Sequence, residues 1–392
     1  MKITALVSVA AAIVAIAEAG NPNGHSIPLT RNPHFKHNTP AQIAKLNARY
    51  PGLNINKATT VKSGKVPVTD VHPDLEYYGT VSVGTPAQKV KLDFDTGSSD
   101  IWFPSSTCNT SACKKHTRFN ASKSKTYKKD GRKWNIGYGD GSSASGILGS
   151  DIVNVGGISV RQTIGLATAE SSQFASSPED GLFGLAFSTI ESVSGVKTFM
   201  DNAIAAKAIS QPVVSVFLPS VRRNGGKGGE YLFGAIDKTK YTGNLHNVPV
   251  SQQGYWQILI EDASYNGVSL KQTSQGIVDT GTTLVIVSDA AAKAIHGKIK
   301  GAKNDPNNGW VVPCSLTSSK ENVGFKLNGK TFNVPLADVA YEPLDDGSGD
   351  CFSGIQGGQN GLWILGDVFI KNNYCVFSHS AKPYIAIAPL KY

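Results

Sequence analysis

The sequence predicts an all-β protein made of two related lobes. Three observations carry that expectation. The first is a repeated motif. Leu92-Asp93-Phe94-Asp95-Thr96-Gly97-Ser98 and Gly276-Ile277-Val278-Asp279-Thr280-Gly281-Thr282 each run from apolar residues into Asp-Thr-Gly and a hydroxyl residue. Such a run reads as a buried strand that turns sharply at glycine. The second is a weaker repeat in the same order. Gly181-Leu182-Phe183-Gly184-Leu185-Ala186-Phe187 and Leu362-Trp363-Ile364-Leu365-Gly366-Asp367-Val368-Phe369 each follow their Asp-Thr-Gly as a glycine-bearing apolar strand. The third is length and texture. At 392 residues the chain exceeds one small core, and its 41 glycines punctuate short β-rich segments.

In chain order, residues 1–19 read as a secretory signal. Lys2 opens it, Ile3 to Ile16 is apolar, and Ala17-Glu18-Ala19 suits a small-x-small cleavage site. The apolar stretch is short for a membrane anchor, no later stretch is long enough to span a bilayer, and the chain stops at Leu390-Lys391-Tyr392 with no hydrophobic tail. A secreted, extracellular protein without membrane attachment is expected. Residues 20–66 form a basic leader: between 21 and 66 there are seven Lys/Arg and no Asp or Glu, so most of the formal net charge of +9 sits there. A basic arm can bind nucleic acid, but a secreted chain rarely meets any, and no nucleic-acid partner is expected. The leader reads as a removable inhibitory prosegment whose cations neutralise an acidic site. A solvated leader with no such role is the plainer alternative.

The body divides into 67–245 and 246–392, with the final strands free to join a sheet between the lobes. Strands are expected at Tyr78–Val83, Val90–Phe94, Ile147–Val155, Val213–Leu218 and Trp256–Ile260. Helical periodicity is confined to Val196–Ala208 and Ser288–Lys300, the latter with Ser288 and Asp289 as a capping start. Secretion makes disulfides plausible. Cys108 and Cys113 suit a small local loop, and Cys314 and Cys351 can close a larger one. Cys375 is left over inside the apolar run Tyr374-Cys375-Val376-Phe377, as a buried small hydrophobe or, less simply, a reactive thiol. Asn109-Thr110-Ser111 and Asn120-Ala121-Ser122 are glycosylation acceptors in a polar stretch.

A lone buried aspartate is costly and is usually a satisfied turn residue. Two at the ends of matching strands suggest paired carboxylates. Close like charges do not both ionise easily, so the pair holds a proton that it can exchange with a water and a carbonyl. The stretches Phe94–Trp102, Val278–Thr283 and Trp363–Phe369 resemble the pepsin family of aspartic endopeptidases, which are the standard worked case of such a dyad. The resemblance covers essentially all of 67–392. It is greatest to the secreted fungal enzymes of the rhizopuspepsin type, through Glu76-Tyr77-Tyr78-Gly79 and the flap sequence.

That resemblance implies a bilobal fold of two barrel-like lobes with the active-site cleft between them, and no cofactor or metal. It implies that Asp95 and Asp279 are the catalytic pair. Gly97 and Gly281 would let backbone amides approach the carboxylates, Ser98 and Thr282 would hydrogen-bond the outer oxygens, and Thr96 and Thr280 would lock the two loops together. Trp134–Ser142 resembles the flap hairpin, with Tyr138 its tyrosine and Trp102 the indole that bonds it. Gly139, Asp140, Ser142, Phe174, Leu182 and Thr283 complete the expected substrate contacts, although Phe174 and Leu182 read equally well as core. An acid at Asp140 suits a substrate Lys before the scissile bond, beside large apolar residues. The implied partners are extended polypeptides, the chain's own prosegment and statine-type inhibitors, and the expected state is a monomer. The main rival is a catalytically inactive inhibitor or binding protein on the same fold, which typically loses a dyad Asp, its Gly or the flap tyrosine. All three are present. A metal hydrolase lacks its His-Glu-x-x-His, and a serine hydrolase its Gly-x-Ser-x-Gly elbow.

Overall fold

The computed structural model describes residues 25–28, 30–31, 77–137, 142–220, 223, 229–344, 346–358 and 361–392. Strands dominate, as the sequence predicts, and the repeats mark two lobes. In the first lobe the antiparallel strands Tyr77–Val83 and Gln88–Asp95 alternate inward Val90, Leu92 and Phe94 with outward Lys89 and Lys91. Gln88–Asp95 pairs in parallel with Gly181–Gly184, which continues through Ile101–Pro104, Ile158–Glu170 and Ser143–Val155. Ser82 and Val83 then pair with Asn154 and Val153, closing a ring of six strands. Lys128–Gly137 lies outside the ring as the last strand of the sheet, paired with Ser143–Val155.

The second lobe repeats the central arrangement. Ser274–Val278 pairs in parallel with Leu362–Leu365, and Val285–Ile286 runs antiparallel on the far side. The second, weaker repeat therefore has a structural meaning: Gly181–Gly184 and Leu362–Leu365 each lie beside the strand that delivers an Asp-Thr-Gly.

A six-stranded sheet joins the lobes, in the order His25–Pro28, Glu230–Phe233, Val213–Phe217, Asn373–Ser378, Tyr384–Pro389 and His246–Pro249. Asn373–Ser378 and Tyr384–Pro389 lie side by side in it, and His25–Pro28 forms one of its edges. His25–Pro28 runs antiparallel to Glu230–Phe233, with Ile27 buried. A Cβ at Gly79 would lie 2.7 Å from both Ile27 and Phe94, so a glycine is what lets the leader approach the core. Phe94 stacks on Phe183 at 4.8 Å and on Tyr231 at 5.1 Å, and the Tyr231 hydroxyl donates to the Phe94 carbonyl at 2.8 Å. Each such buried aromatic contributes roughly 1.5–3 kcal/mol, and here that burial braces the strand immediately before Asp95.

Both expected helices exist but are shorter. Phe199–Ala205 starts at a capping box between Thr198 and Asp201 and cannot run past Lys207, whose φ is +53°. Asp289–His296 starts at Ser288, whose side chain accepts from Ala291 N, and stops at Gly297. The disulfides Cys108–Cys113 and Cys314–Cys351 both form, and Cys375 is a free thiol at 0% exposure. Burial pushes that thiol well above its usual range, which leaves it a small hydrophobe rather than a nucleophile.

Candidate active site

The two Asp-Thr-Gly loops meet at the junction of the lobes, each at the end of its strand. Asp95 and Asp279 are both 0% exposed. Each carboxylate is held by its own loop in the same way. Asp95 Oδ1 accepts from Gly97 N at 2.8 Å and Oδ2 from the Ser98 hydroxyl. Asp279 Oδ1 accepts from Gly281 N at 2.9 Å and Oδ2 from the Thr282 hydroxyl. The loops also come into direct contact. A Cβ placed on Gly97 would lie 2.5 Å from Asp279 Oδ1 and 2.8 Å from its Oδ2. Only glycine allows the second carboxylate so close to the first loop.

The threonines between Asp and Gly cross over. Thr96 N donates to Thr280 Oγ1 at 3.0 Å, and Thr280 N donates to Thr96 Oγ1 at 2.9 Å. Each hydroxyl donates onward to the opposite strand: Thr96 to the Val278 carbonyl at 3.0 Å, and Thr280 to the Phe94 carbonyl at 2.8 Å. Four hydrogen bonds with near two-fold symmetry thus fix one loop against the other in a dry setting. Thr96→Val removes an acceptor and a donor from this lattice and strands the Thr280 amide. It is expected to cost about 1–3 kcal/mol in urea unfolding, and Thr280→Val the same. The double variant should lose less than the sum, because the two residues share bonds.

The adjoining strands hold the loops from below. Leu185 N donates to the Asp95 carbonyl at 2.8 Å, and Asp279 N donates to the Leu365 carbonyl at 3.1 Å. Cβ atoms on Gly184 and Gly366 would lie 2.3 Å from the Ser99 carbonyl carbon and 2.2 Å from the Thr282 oxygen, so the two glycines perform equivalent duties.

An apolar wall lies in the first lobe where Leu182 pairs with Asp93 on one side and Trp102 on the other. Trp102, Trp134 and Leu182 are buried together, with Ile136, Phe174 and Val193 against them. Trp102 meets Phe174 edge-on at 5.2 Å and Trp134 at 5.8 Å. Trp102, Phe174 and Leu182 are therefore brought together in one apolar cluster. Ser142 is buried, and Thr283 is half-buried with its carbonyl accepting from Val368 N. Tyr138, Gly139 and Asp140 lie outside the described residues; the strands on either side, Lys128–Gly137 and Ser143–Val155, pair antiparallel. Asn109 is exposed. Asn120 is half-buried and caps a short turn through its side-chain oxygen.

The eukaryotic aspartyl protease family model matches residues 76–390. The chain belongs to this family. It is 43% identical to rhizopuspepsin-2 of Rhizopus niveus over 100% of both chains. It is 41% identical to rhizopuspepsin of Rhizopus chinensis over 99% of this chain and 98% of that one. Pepsin A of Callithrix jacchus is 42% identical over 81% of each chain. The protein is thus an aspartic endopeptidase of pepsin-like fold.

This aspartyl protease carries a feature that motif reading passed over. Asp100 is buried behind the wall, where its Oδ1 accepts from the Trp134 indole at 2.8 Å and its Oδ2 from Ser192 N and Oγ at 3.1 and 2.9 Å. Next to it Glu191 has a buried Oε1 with no hydrogen-bond partner among the described residues. Burial, with Asp100 and Asp201 nearby, pushes the Glu191 carboxyl up to about 9. The only sequence signal was an acid two residues before Trp102, which any turn would also explain.

Proposed function

We propose that this aspartic endopeptidase is a secreted zymogen that cleaves extended polypeptides in acid, with Asp95 and Asp279 sharing one proton. The observation that carries the reading is the contact of Gly97 with Asp279 across crossed threonines, which supports a pairing of the two carboxylates. The ionised member takes a proton from water as the water attacks the carbonyl carbon. The protonated member donates to the carbonyl oxygen, and the roles reverse when the amine leaves. The Gly amides and the Ser98 and Thr282 hydroxyls hold both groups in place while the charge moves. The wall of Trp102, Phe174 and Leu182 supports a preference for large apolar residues before the scissile bond, and Asp140 adds an attraction for Lys.

Several observations support the zymogen reading. The leader supplies the edge strand His25–Pro28, pairs Thr30–Arg31 with Tyr77–Tyr78, and carries cations without acids from 21 to 66. At neutral pH those cations pair with the ionised cleft, and acid releases them.

Acid-treated protein incubated with a mixed peptide library, with cut sites mapped by mass spectrometry, tests the whole reading. Cleavage blocked by a statine-type inhibitor and indifferent to chelators is expected, together with a new N-terminus near 60–70. A chain that stays intact and inactive in acid would sink self-activation. Asp140→Ala should lower cleavage after Lys much more than cleavage after Phe, and an equal loss would remove the role assigned to Asp140.

A further inference from the structure

The turn that carries Phe174 has little core of its own. Residues 171–178 include no fully buried residue, and Ser172, Gln173 and Ser176 are exposed. Phe174 is half-buried and meets Trp102 edge-on at 5.2 Å. Apolar contact anchors that one side chain, and the shape of the turn depends on polar contacts at its ends.

One side chain supplies a contact at each end. His116 lies just after the Cys108–Cys113 disulfide, where its amide donates to the Cys113 carbonyl at 3.3 Å and the Arg118 guanidinium donates to the Cys108 carbonyl at 2.9 Å. The His116 side chain is only 4% exposed. Its Nδ1 lies 3.1 Å from Glu170 Oε2, four residues before Phe174, and its Nε2 lies 3.3 Å from the Ser177 carbonyl, three residues after it. Glu170 is buried, and its Oε1 has no hydrogen-bond partner among the described residues, so His116 is the group that answers its charge. The adjacent Thr117 amide donates to Asp180 Oδ1 at 2.6 Å, and Asp180 Oδ2 accepts from Lys91 N at 2.8 Å.

The chemistry of the partners selects the form of the ring. A carbonyl and a carboxylate both only accept. A neutral imidazole donates from one nitrogen alone, whereas the imidazolium donates from both. Burial opposes that charge, but the Glu170 bond and carboxylate, Asp180 and the Ser177 carbonyl outweigh it and hold His116 above its usual range. The other charged side chains of its own stretch, Lys114, Lys115 and Arg118, are exposed. The bridge is therefore complete in acid and is lost only as pH rises through that raised value.

We infer that His116 is a positioning residue that seats the Phe174 wall, and through it sets the discrimination between large and small apolar side chains before the scissile bond. The inference rests on the reading of that wall as a substrate pocket. A plain strut for folding would change the amount of active enzyme and leave its choice of substrate as it was.

The test uses the acid-activated enzyme, its active sites titrated with a tight statine-type inhibitor, on two peptides that differ only in Phe or Ala before the scissile bond. His116→Phe fills the space without either bond, and His116→Gln can serve one acceptor. The ratio of kcat/KM for Phe over Ala is expected to fall about tenfold in His116→Phe and less in His116→Gln, through a higher KM for the Phe peptide with kcat within about twofold. The Ala peptide should change little. Wild type offers a second readout that does not depend on either variant being active. In nitrogen–proton NMR spectra of the full chain at about pH 6.5, where an ordinary histidine is half neutral, the ring signal that either variant lacks should show both nitrogens protonated. An unchanged ratio in His116→Phe, or a neutral His116 ring at that pH, would overturn the inference. A wild type that cuts both peptides alike would remove the reading of the wall, and this inference with it.

Discussion

Asp279→Asn is expected to lower kcat on a peptide substrate by ~10³-fold or more, the upper part of what positioned acid–base groups supply. The amide is nearly isosteric with the carboxylate. Its oxygen still accepts from Gly281 N, and the Thr282 hydroxyl can rotate to accept from the new NH₂. Folding should therefore survive, and the thermal midpoint should stay within a few degrees of wild type. What the amide cannot do is trade a proton with water. Asp95→Asn should behave alike, and the double variant should lose little more, because the two groups act as a unit. Either single variant retaining a tenth of wild-type kcat, on protein shown free of contaminating protease, would refute the shared-proton reading.

Glu191→Gln is expected to produce the largest change in the pH dependence of stability. The carboxyl titrates at about 9 in the folded chain against 4.5 when unperturbed. A pKa raised by folding means that stability is fully present below about pH 4.5 and falls as pH rises through the window from 4.5 to 9, since the unfolded chain sheds its proton first. At neutral pH the deficit amounts to about 2–3 kcal/mol, allowing for the partly exposed side chain. Glutamine keeps the shape and never ionises. Urea unfolding should find wild type and variant alike in acid, with the variant more stable near neutrality. Parallel curves across that window would exclude Glu191 as a source of neutral-pH instability. Asp100 beside it carries the Trp134 indole, and Trp134 packs on Trp102 in the apolar wall of the first lobe.

Much of the fold was legible because its signals are local. Phe94 and Val278 each end an apolar run before Asp-Thr-Gly, and alternation along Gln88–Asp95 predicts which side chains turn inward. The helices were placed correctly but drawn too long. Periodicity in Val196–Ala208 does not register that Lys207 adopts a left-handed conformation. The basic leader reads from its sequence as a charged plug or a solvated arm. Its role as an edge strand rests on four residues, His25–Pro28, whose pairing depends on Glu230–Phe233 some two hundred residues away. No local pattern can announce a partner at that separation.

By itself the sequence determined the chemistry on offer: two Asp-Thr-Gly loops with their glycines and hydroxyls, the flap sequence, the paired cysteines and the basic leader. Residue types at fixed spacing suffice for that, because each loop makes its own carboxylate bonds within three residues. Tertiary structure alone decided that Gly97 abuts Asp279, that Thr96 and Thr280 exchange bonds, and that His116 reaches both Glu170 and Ser177. Alternation along a strand assigns a side chain to a face. Whether that face meets water, a carboxylate or another lobe depends on which distant segment packs there.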